Sequence, residues 1–574
     1  KFNFIELANE IAHQNTVLLQ TTMGAVAVTE QAIVNEAHRR GMIVPGRKFR
    51  DKDAEPVTAA GAYVATPKKG IHDWIGSIDI NSLYPSVIRA LNMGPETIVG
   101  QIRPVITSAE INRARHAKKS FAAAWDNQFG SWEYLAVMAK EKGTELIVDW
   151  SDDTSVRMSA AQLYDVVFDG NNKWMLSANG TIFTYEHEAI IPGLLKRWYA
   201  ERKEMQRKMH DAGDNEIEKE YWDKRQLVKK INLNSLYGAI LNPGCRFFDM
   251  RIGQSVTLTG RCITKHMGAK VNEIVAGKYD HVGESIIYGD TDSVYFSAHK
   301  TLKKEVDAGQ IPWGKDNVIG LYDKIADEVN TTFSSFMNKA FHCPTTRGSV
   351  IKAGRELVAV KGLFITKKRY AVLYYDKEGE RVDTAGKEGK VKAMGLDLKR
   401  SDTPVFVQDF LSDVLYQVLT GETEEQVLKA ISDFRADFKA RPGWEKGSPK
   451  RANNVTDYWE KEKKQGKANM PGHVRASINW NNCRQMYGDK YSLPITDGAK
   501  VIVCKLKNNP LNYTSIAYPV DELRIPDWFK ELPFDSEAME QTILDQKLDN
   551  LIGVLDWDIQ STETTNTFNK LFEF

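Results

Sequence analysis

Apolar residues recur at helical spacing in the first part of the chain, at Ile5, Leu7, Ala8, Ile11 and Ala12 and again at Ala32, Ile33 and Ala37. This spacing predicts helices over residues 1–45. Pro45, Gly46, Pro56, Gly61, Pro67 and Gly70 interrupt the next stretch, and 44–73 reads as a loop-rich connector. WIGSIDI (74–80) then reads as a strand. Residues 105–170 mix a helical stretch from Ser108 to about Trp125 with strand-like runs such as ELIVDW. Two helices around a Gly213-Asp214-Asn215 turn are predicted over 187–241. SIIYGDTDSVYFS (285–297) predicts two β-rich runs about a tight turn, and LFITKKRYAVLYYD (363–376) a strand pair or one long strand. From 404 onward the pattern is mostly helical. Asp402 and Thr403 before Pro404 make a good N-cap and N1 combination. The stretch 441–472, rich in Lys, Gly, Pro and Asn, reads as an exposed loop, and there is no internal repeat.

The chain has 574 residues, which at ~150 residues per domain suggests about four structural units. Hydrophobic residues at 42% and charged residues at 27% are a globular composition, and they exclude disorder as the main state. No apolar run approaches the ~18 residues of a spanning helix. The N-terminus carries charges and amides where a signal peptide would be apolar, so a cytoplasmic protein is expected. A first residue of Lys suggests processing or a longer polypeptide. Lys+Arg of 77 against Asp+Glu of 76 excludes a uniformly basic coat and leaves room for a local basic cleft. The five cysteines form no C-x-x-C pair, so free thiols, buried or half-buried, are expected.

Three clusters could carry chemistry. In Asp79-Ile80-Asn81-Ser82-Leu83-Tyr84-Pro85 a carboxylate ends an apolar run; by itself such an Asp is often only a cap. In Lys230-x-x-x-Asn234-x-x-Tyr237-Gly238, helical spacing puts Lys, Asn and Tyr on one face. That face is either a solvated stripe or a surface meeting a phosphate and a flat base, with Gly238 allowing close approach. In Tyr288-Gly289-Asp290-Thr291-Asp292-Ser293 two carboxylates one residue apart repel unless a cation sits nearby. An exposed turn is the competing reading. Oxygen ligands without His or Cys point to Mg²⁺ or Mn²⁺.

In this order, D-x-x-S-L-Y-P, K-x-x-x-N-S-x-Y-G and Y-G-D-T-D-S resemble the three polymerase signatures of family B DNA polymerases. SLYPSVIRALNMGPETIVG, NSLYGAILN, IYGDTDSVYFSA, Lys-Lys-Arg-Tyr at 367–370 and MGLDLKRSDTP (394–404) are similar to the T-even-like bacteriophage replicative type. The resemblance implies an α+β right-hand fold: a helical N-terminal segment and connector (1–73), a first palm part (74–186) with an insertion at 105–170, fingers (187–241), a second palm part (242–393), and a thumb with C-terminal tail (394–574). It implies that Asp79, Asp292 and the backbone carbonyl of Ile80 hold two Mg²⁺ ions, with Mn²⁺ as the alternative and Asp290 and Glu356 beside them. Two such ions about 3.5–4 Å apart clamp the attacking and leaving oxygens of an in-line phosphoryl transfer. It implies that Arg202, Lys230 and Asn234 bind the dNTP triphosphate, Lys230 also donating a proton to the leaving pyrophosphate. Tyr237 and Gly238 would face the nascent base pair, and Tyr84, with Ser82 and Leu83, would form the sugar gate. A second basic residue is usual four positions after Arg202. Here that position is Gln206, and Arg207 beside it reads as a solvated helix charge. Lys367, Lys368, Arg369 and Tyr370, continued by Lys399 and Arg400, would grip primer-template DNA through its phosphates.

The function implied is template-directed DNA synthesis in viral replication, in the host-cell cytoplasm. The rivals are a palm enzyme with another nucleic-acid product and a non-catalytic DNA-binding subunit descended from a polymerase. Phe568, Leu571, Phe572 and Phe574 of the tail are candidates for a sliding-clamp contact, against a tail folded back on the thumb. Only 78 residues precede Asp79, and the D-x-E triplet Asp53-Ala54-Glu55 lies in a Pro/Gly-rich stretch. A 3′–5′ exonuclease is therefore expected on a separate polypeptide, or to have been removed.

Overall fold

The structure, a computed structural model, describes residues 4–46, 61–104, 145–159, 162–163, 165–169, 171–384, 386–466 and 469–562. The expected helix at Ser108, the Asp53-Ala54-Glu55 triplet and the tail with Phe568, Leu571, Phe572 and Phe574 lie outside these residues. The fold is α+β. The chain divides into two compact units, 1–66 with 76–358 and 67–75 with 359–574, and two of the three boundaries fall inside strands.

In the first unit, α1 (Phe4–Asn15) and α2 (Ala25–Arg39) form where the helical spacing predicts them. Strand β1 (Gly70–Ile80) begins four residues before the predicted run, and α3 (Leu83–Ala90) follows it after a two-residue turn. A second sheet is wholly antiparallel: β2 (Ile98–Pro104), β3 (Glu145–Trp150), β4 (Ser155–Ser159), β5 (Trp174–Leu176) and β6 (Thr181–Thr184) lie in the order β4-β3-β2-β6-β5. Its core is Ile102, Val148, Leu163, Val167, Leu176 and Ile182. The described part of 105–170 thus adds strands to β2.

Two long helices follow, α4 (Ile190–Asp211) and α5 (Glu216–Ile240), around the predicted turn, and the Asn215 side chain caps α5 by accepting from Glu218 N at 3.3 Å. Then come α6 (Met250–Ala276), the hairpin β7 (Ile286–Asp290) and β8 (Ser293–Ser297), and α7 (Lys315–Phe341). The leading part of β9 (Ala353–Thr366) completes a sheet of order β9-β1-β8-β7. A Cβ on Gly76 would stand 2.5 Å from Tyr322 Cδ2 and 2.8 Å from Phe296 Cζ, so only glycine lets α7 approach β1 there. Side chains alternate along a strand, so Gly76, Ile78 and Ile80 face α7 and Ser77 and Asp79 the opposite side.

In the second unit, β10 (Arg369–Lys377) pairs with the trailing part of β9, with β11 (Glu380–Arg381) and with β12 (Lys390–Met394). Helices α8 (Val405–Thr420) and α9 (Glu424–Ala440) carry much of the core, through Phe410, Val414, Val418, Val427 and Ile431. Buried Arg435 of α9 donates to Glu540 at 3.0 Å and to Thr562 Oγ1 at 2.8 Å and forms an ion pair with Asp545 at 2.6 Å, tying the C-terminal helical turns to the core.

The structure corrects two expectations here. The stretch 441–472, expected as a loop, holds β13 (Ser448–Ala452) and α10 (Val455–Gln465), and β13 joins β14 (Ala499–Lys505) and β15 (Ser515–Pro519) in a three-stranded sheet. β13 is a partly exposed edge strand of sequence SPKRA, so its positions carry no apolar alternation. The expected N-cap of α8 also fails. Pro404 occupies the cap position with no side-chain oxygen capping, while Asp402 pairs with Arg400 and Lys450, and Thr403 accepts from Lys547 Nζ at 2.8 Å. Among the described residues no helix is long and apolar enough to cross a membrane. The five cysteines are free, four buried and Cys262 half-buried.

Candidate active site

The two carboxylate turns lie in the first unit and are stitched together by the backbone. Ile80 N–H donates to the carbonyl of Asp292 at 2.8 Å, joining the residue after Asp79 to the β7–β8 turn. Both turns hold a non-glycine residue in the left-handed region, Ser82 at φ 50 and Thr291 at φ 59. Such a conformation costs of order 1–3 kcal/mol and persists only where the surroundings impose it. At Thr291 they do. Its N–H donates to Tyr63 O at 2.8 Å, and its carbonyl accepts from Thr264 Oγ1 of α6 at 2.6 Å.

Asp79, Asp290 and Asp292 are all half-buried. The Asp290 carboxylate accepts from Tyr288 Oη at 3.2 Å and from Thr291 Oγ1 at 2.9 Å, so both its oxygens have protein partners. Ser77, two residues before Asp79 on the same face of β1, donates to Glu356 of β9 at 3.3 Å. Carboxylates and a backbone carbonyl are hard oxygen donors of the type that suits Mg²⁺ or Mn²⁺; among the described residues no three His, Cys, Asp or Glu side chains group into a metal site.

Tyr84 sits in the first turn of α3, beside helix N–H groups that have no intrahelical acceptor. Its ring centroid lies 4.5 Å from that of Tyr237 on α5. A Cβ on Gly260 of α6 would stand 3.2 Å from Tyr84 Cε1 and 3.3 Å from Leu83 Cδ2, so this glycine sets the space behind the ring. Burial, then the negative charge of Asp292, pushes the Tyr84 hydroxyl up to about 12. Burial, then Tyr84, pushes Tyr237 up as well, and its hydroxyl donates to Gly253 O at 3.4 Å.

On α5, Lys230, Asn234 and Gly238 are exposed and Tyr237 half-buried, while Val228, Asn232, Leu233 and Leu236 are buried. A Cβ on Gly238 would meet nothing within 4 Å, so this glycine is not needed for helix packing. Half-buried Arg202 of α4 donates its Nε to Gln226 of α5 at 3.2 Å, and burial lowers its pKa. Arg207 pairs on its own helix with Glu204 at 2.7 Å and Asp211 at 3.3 Å. Lys208 lies 4.5 Å from the Trp222 ring centroid. Both are thus engaged near Gln206.

In the second unit, Lys367 and Lys368 form the exposed β9–β10 turn, with Lys368 at φ 61. Gly395, at φ 64, is required beside it, because a Cβ there would stand 2.1 Å from Lys368 O. Arg369 donates to Asn550 O at 3.2 Å and pairs with Asp397 at 3.5 Å. The Tyr370 ring is buried and stacked on Phe364 at 5.4 Å, which makes it a support of the turn. Lys399 and Arg400 are exposed, and Arg400 bonds Asp402 at 3.1 Å.

A family model described as DNA polymerase family B matches residues 15–469. The chain belongs to DNA polymerase family B. It is 26% identical over 540 residues to the DNA-directed DNA polymerase of Escherichia phage RB69, covering 90% of this chain and 57% of that protein. Identity to the DNA-directed DNA polymerase of Enterobacteria phage T4 is 25% over 548 residues, with the same coverage. The DNA polymerase of Pyrococcus glycovorans is 23% identical over 410 residues, 71% of this chain and 38% of that one. The chain thus spans about half the length of the phage relatives it matches. The family B match takes in all three clusters and the basic turn at 367–370.

Sequence reasoning missed three groups around these residues: Gly260, Thr264, and the pair Glu201–Lys229, whose Oε2 and Nζ lie 2.6 Å apart between α4 and α5. Each lies in a predicted helix, but their pairing across the two helices was not legible.

Proposed function

We propose that this chain is the polymerase part of a viral replicative DNA polymerase. It adds deoxynucleotides from dNTPs to a primer 3′ end on a DNA template. In this reading 74–186 and 242–393 form the palm, 187–241 the fingers and 394–574 the thumb. The observation that carries it is the Ile80–Asp292 backbone bond, which joins the residue after Asp79 to the β7–β8 turn; Tyr84 follows in the same segment, and burial, then the charge of Asp292, raises its pKa. Asp79, Asp292 and the Ile80 carbonyl would hold two divalent cations, with Asp290 and Glu356 alongside. Those ions, when bound, supply Lewis acidity for the primer hydroxyl and charge neutralisation for the triphosphate.

The chain's own side chains do the rest. Arg202, Lys230 and Asn234 bind the triphosphate, and Lys230 is the proton donor to pyrophosphate. The first-turn N–H groups of α3 add donors for the same anion. The Tyr84 ring, held against Tyr237, stands under the sugar and excludes a 2′-hydroxyl. Lys367, Lys368 and Arg369 hold duplex phosphates, which positions DNA without reading its sequence.

The test is primer extension with Mg²⁺, comparing wild type with Asp79→Ala and Asp292→Ala. Each variant should lose extension while keeping its fold and its primer-template binding. Wild-type extension by either variant would overturn the assignment.

A further inference from the structure

A line of alternating charges runs from the N-terminal helices into the α4–α5 pair. Glu36 of α2, 1% exposed, takes Arg197 of α4 at 2.6 Å as well as Arg39 and Arg40 of its own helix. Arg197 Nε lies 3.6 Å from Glu201 Oε1, one turn along α4. The other oxygen of Glu201 is 2.6 Å from Lys229 Nζ on α5, a lysine whose side chain is 9% exposed. The next residue after Glu201 is Arg202, and the next after Lys229 is Lys230. Arg202 is itself bonded across to Gln226, one turn from Lys229 on α5. The two helices are therefore pinned at adjacent levels by an ion pair, its lysine buried and its carboxylate 36% exposed, and by a side-chain hydrogen bond.

We infer that Glu201 and Lys229, anchored through Arg197 to Glu36, are positioning residues that hold Arg202 and Lys230 at the separation one triphosphate requires. The inference rests on the proposed triphosphate role of those two cations. Lys229 is not itself available to a nucleotide: its ammonium is committed to Glu201 and turned into the helix interface. Its contribution is to fix how α4 lies on α5. A phosphate clamp loses binding when its donors shift by about an ångström. Lys229→Met also leaves Glu201 with only the 3.6 Å contact to Arg197, so a doubly neutral variant is needed to separate positioning from charge.

The experiment is steady-state primer extension with dNTP titration, together with primer-template binding and thermal denaturation, on the full chain. Lys229→Met should raise KM for dNTP about tenfold and, because Lys230 is also the proposed proton donor, lower kcat severalfold, with primer-template Kd within about twofold of wild type. Glu201→Gln/Lys229→Met, which carries no unpaired charge, should still raise KM about threefold. Lys229→Arg, which keeps the pair, should restore the wild-type value. If Lys229→Met does not fold, the double variant decides. A residue that merely stabilises the fold would lower the melting temperature and leave KM for dNTP unchanged. That result in the folded variants overturns the inference and leaves the polymerase reading intact. A wild-type chain that extends no primer overturns the polymerase reading, and this inference with it.

Discussion

Glu36→Gln perturbs the most heavily paired carboxylate among the described residues of the N-terminal helices. The side chain is 1% exposed and accepts from Arg39 at 2.6 Å, Arg40 at 2.8 Å and Arg197 at 2.6 Å. Burial acts to raise its pKa, but the hydrogen bonds from Arg39 and Arg40 and the charge of Arg197 overcome it and hold the carboxyl at about 2, against an ordinary 4.5. Fully expressed, that difference is roughly 3 kcal/mol. The Arg39 and Arg197 side chains are 62% and 41% exposed, so solvent screening reduces the useful figure to about 2 kcal/mol. Gln keeps the shape and some hydrogen bonds and loses the charge. The sign is that of a depressed carboxylate: its stabilisation is present above pH 4.5 and is lost as pH falls toward 2. At pH 7 the variant should therefore melt lower by about 2–4 °C. By pH 3 roughly half or more of that gap should have closed, because the unfolded wild type, with an ordinary carboxyl, takes up a proton that the folded carboxylate still resists. The assay is thermal unfolding of both proteins followed by circular dichroism across this pH range. A gap of the same size at pH 3 and pH 7 would show that Glu36 acts through packing and refute the electrostatic account.

Two further outcomes concern the nucleotide side. Tyr84→Ala should raise rNTP over dNTP incorporation by about 10- to 200-fold, the range for steric exclusion of one small group, as read in single-nucleotide extension; an unchanged preference would place the gate elsewhere. Gly260→Ala should cost roughly 1–2 kcal/mol in denaturant unfolding and alter the same sugar preference, because its Cβ would meet Tyr84 Cε1 at 3.2 Å. Wild-type stability with unchanged preference would mean that the ring yields without consequence.

The parts of the fold legible in the sequence are those whose signal is local. The strand at 74–80, the hairpin at 285–297 and the helix pair at 187–241 each carry their own periodicity and turn residues, and each forms. The three signatures were legible for the same reason, since Asp79, the Lys230 stripe and Asp292 lie in short contiguous segments. What was not legible depends on long-range partners. β13 is a strand only because Ser448–Ala452 pairs with Ala499–Val503 some fifty residues on. Thr403 and Asp402 had the chemistry of a cap, but Lys547, 144 residues away, and Lys450 recruit them instead. Glu36 and Arg197 are 161 apart in sequence, and neither segment hints at the other.

The same division explains why the proposed site depends on residues no signature names. An αL residue at Ser82 or Thr291 is a local cost that the signature sequences do not relieve, because neither position is a glycine. At Thr291 the relief comes from Thr264 on α6 and Tyr63 upstream, both bonded to the turn backbone. Gly260, one helical turn before Thr264 on α6, limits the room behind Tyr84. One face of α6 thus supports the carboxylate turn and the ring at once. A shift of this helix would move Asp292 and Tyr84 together, which ties the position of the proposed metal ligand to that of the proposed sugar gate. In the proposed reading, sugar selectivity and catalytic competence would be coupled through α6, although Tyr84 and Asp292 lie more than two hundred residues apart in the chain.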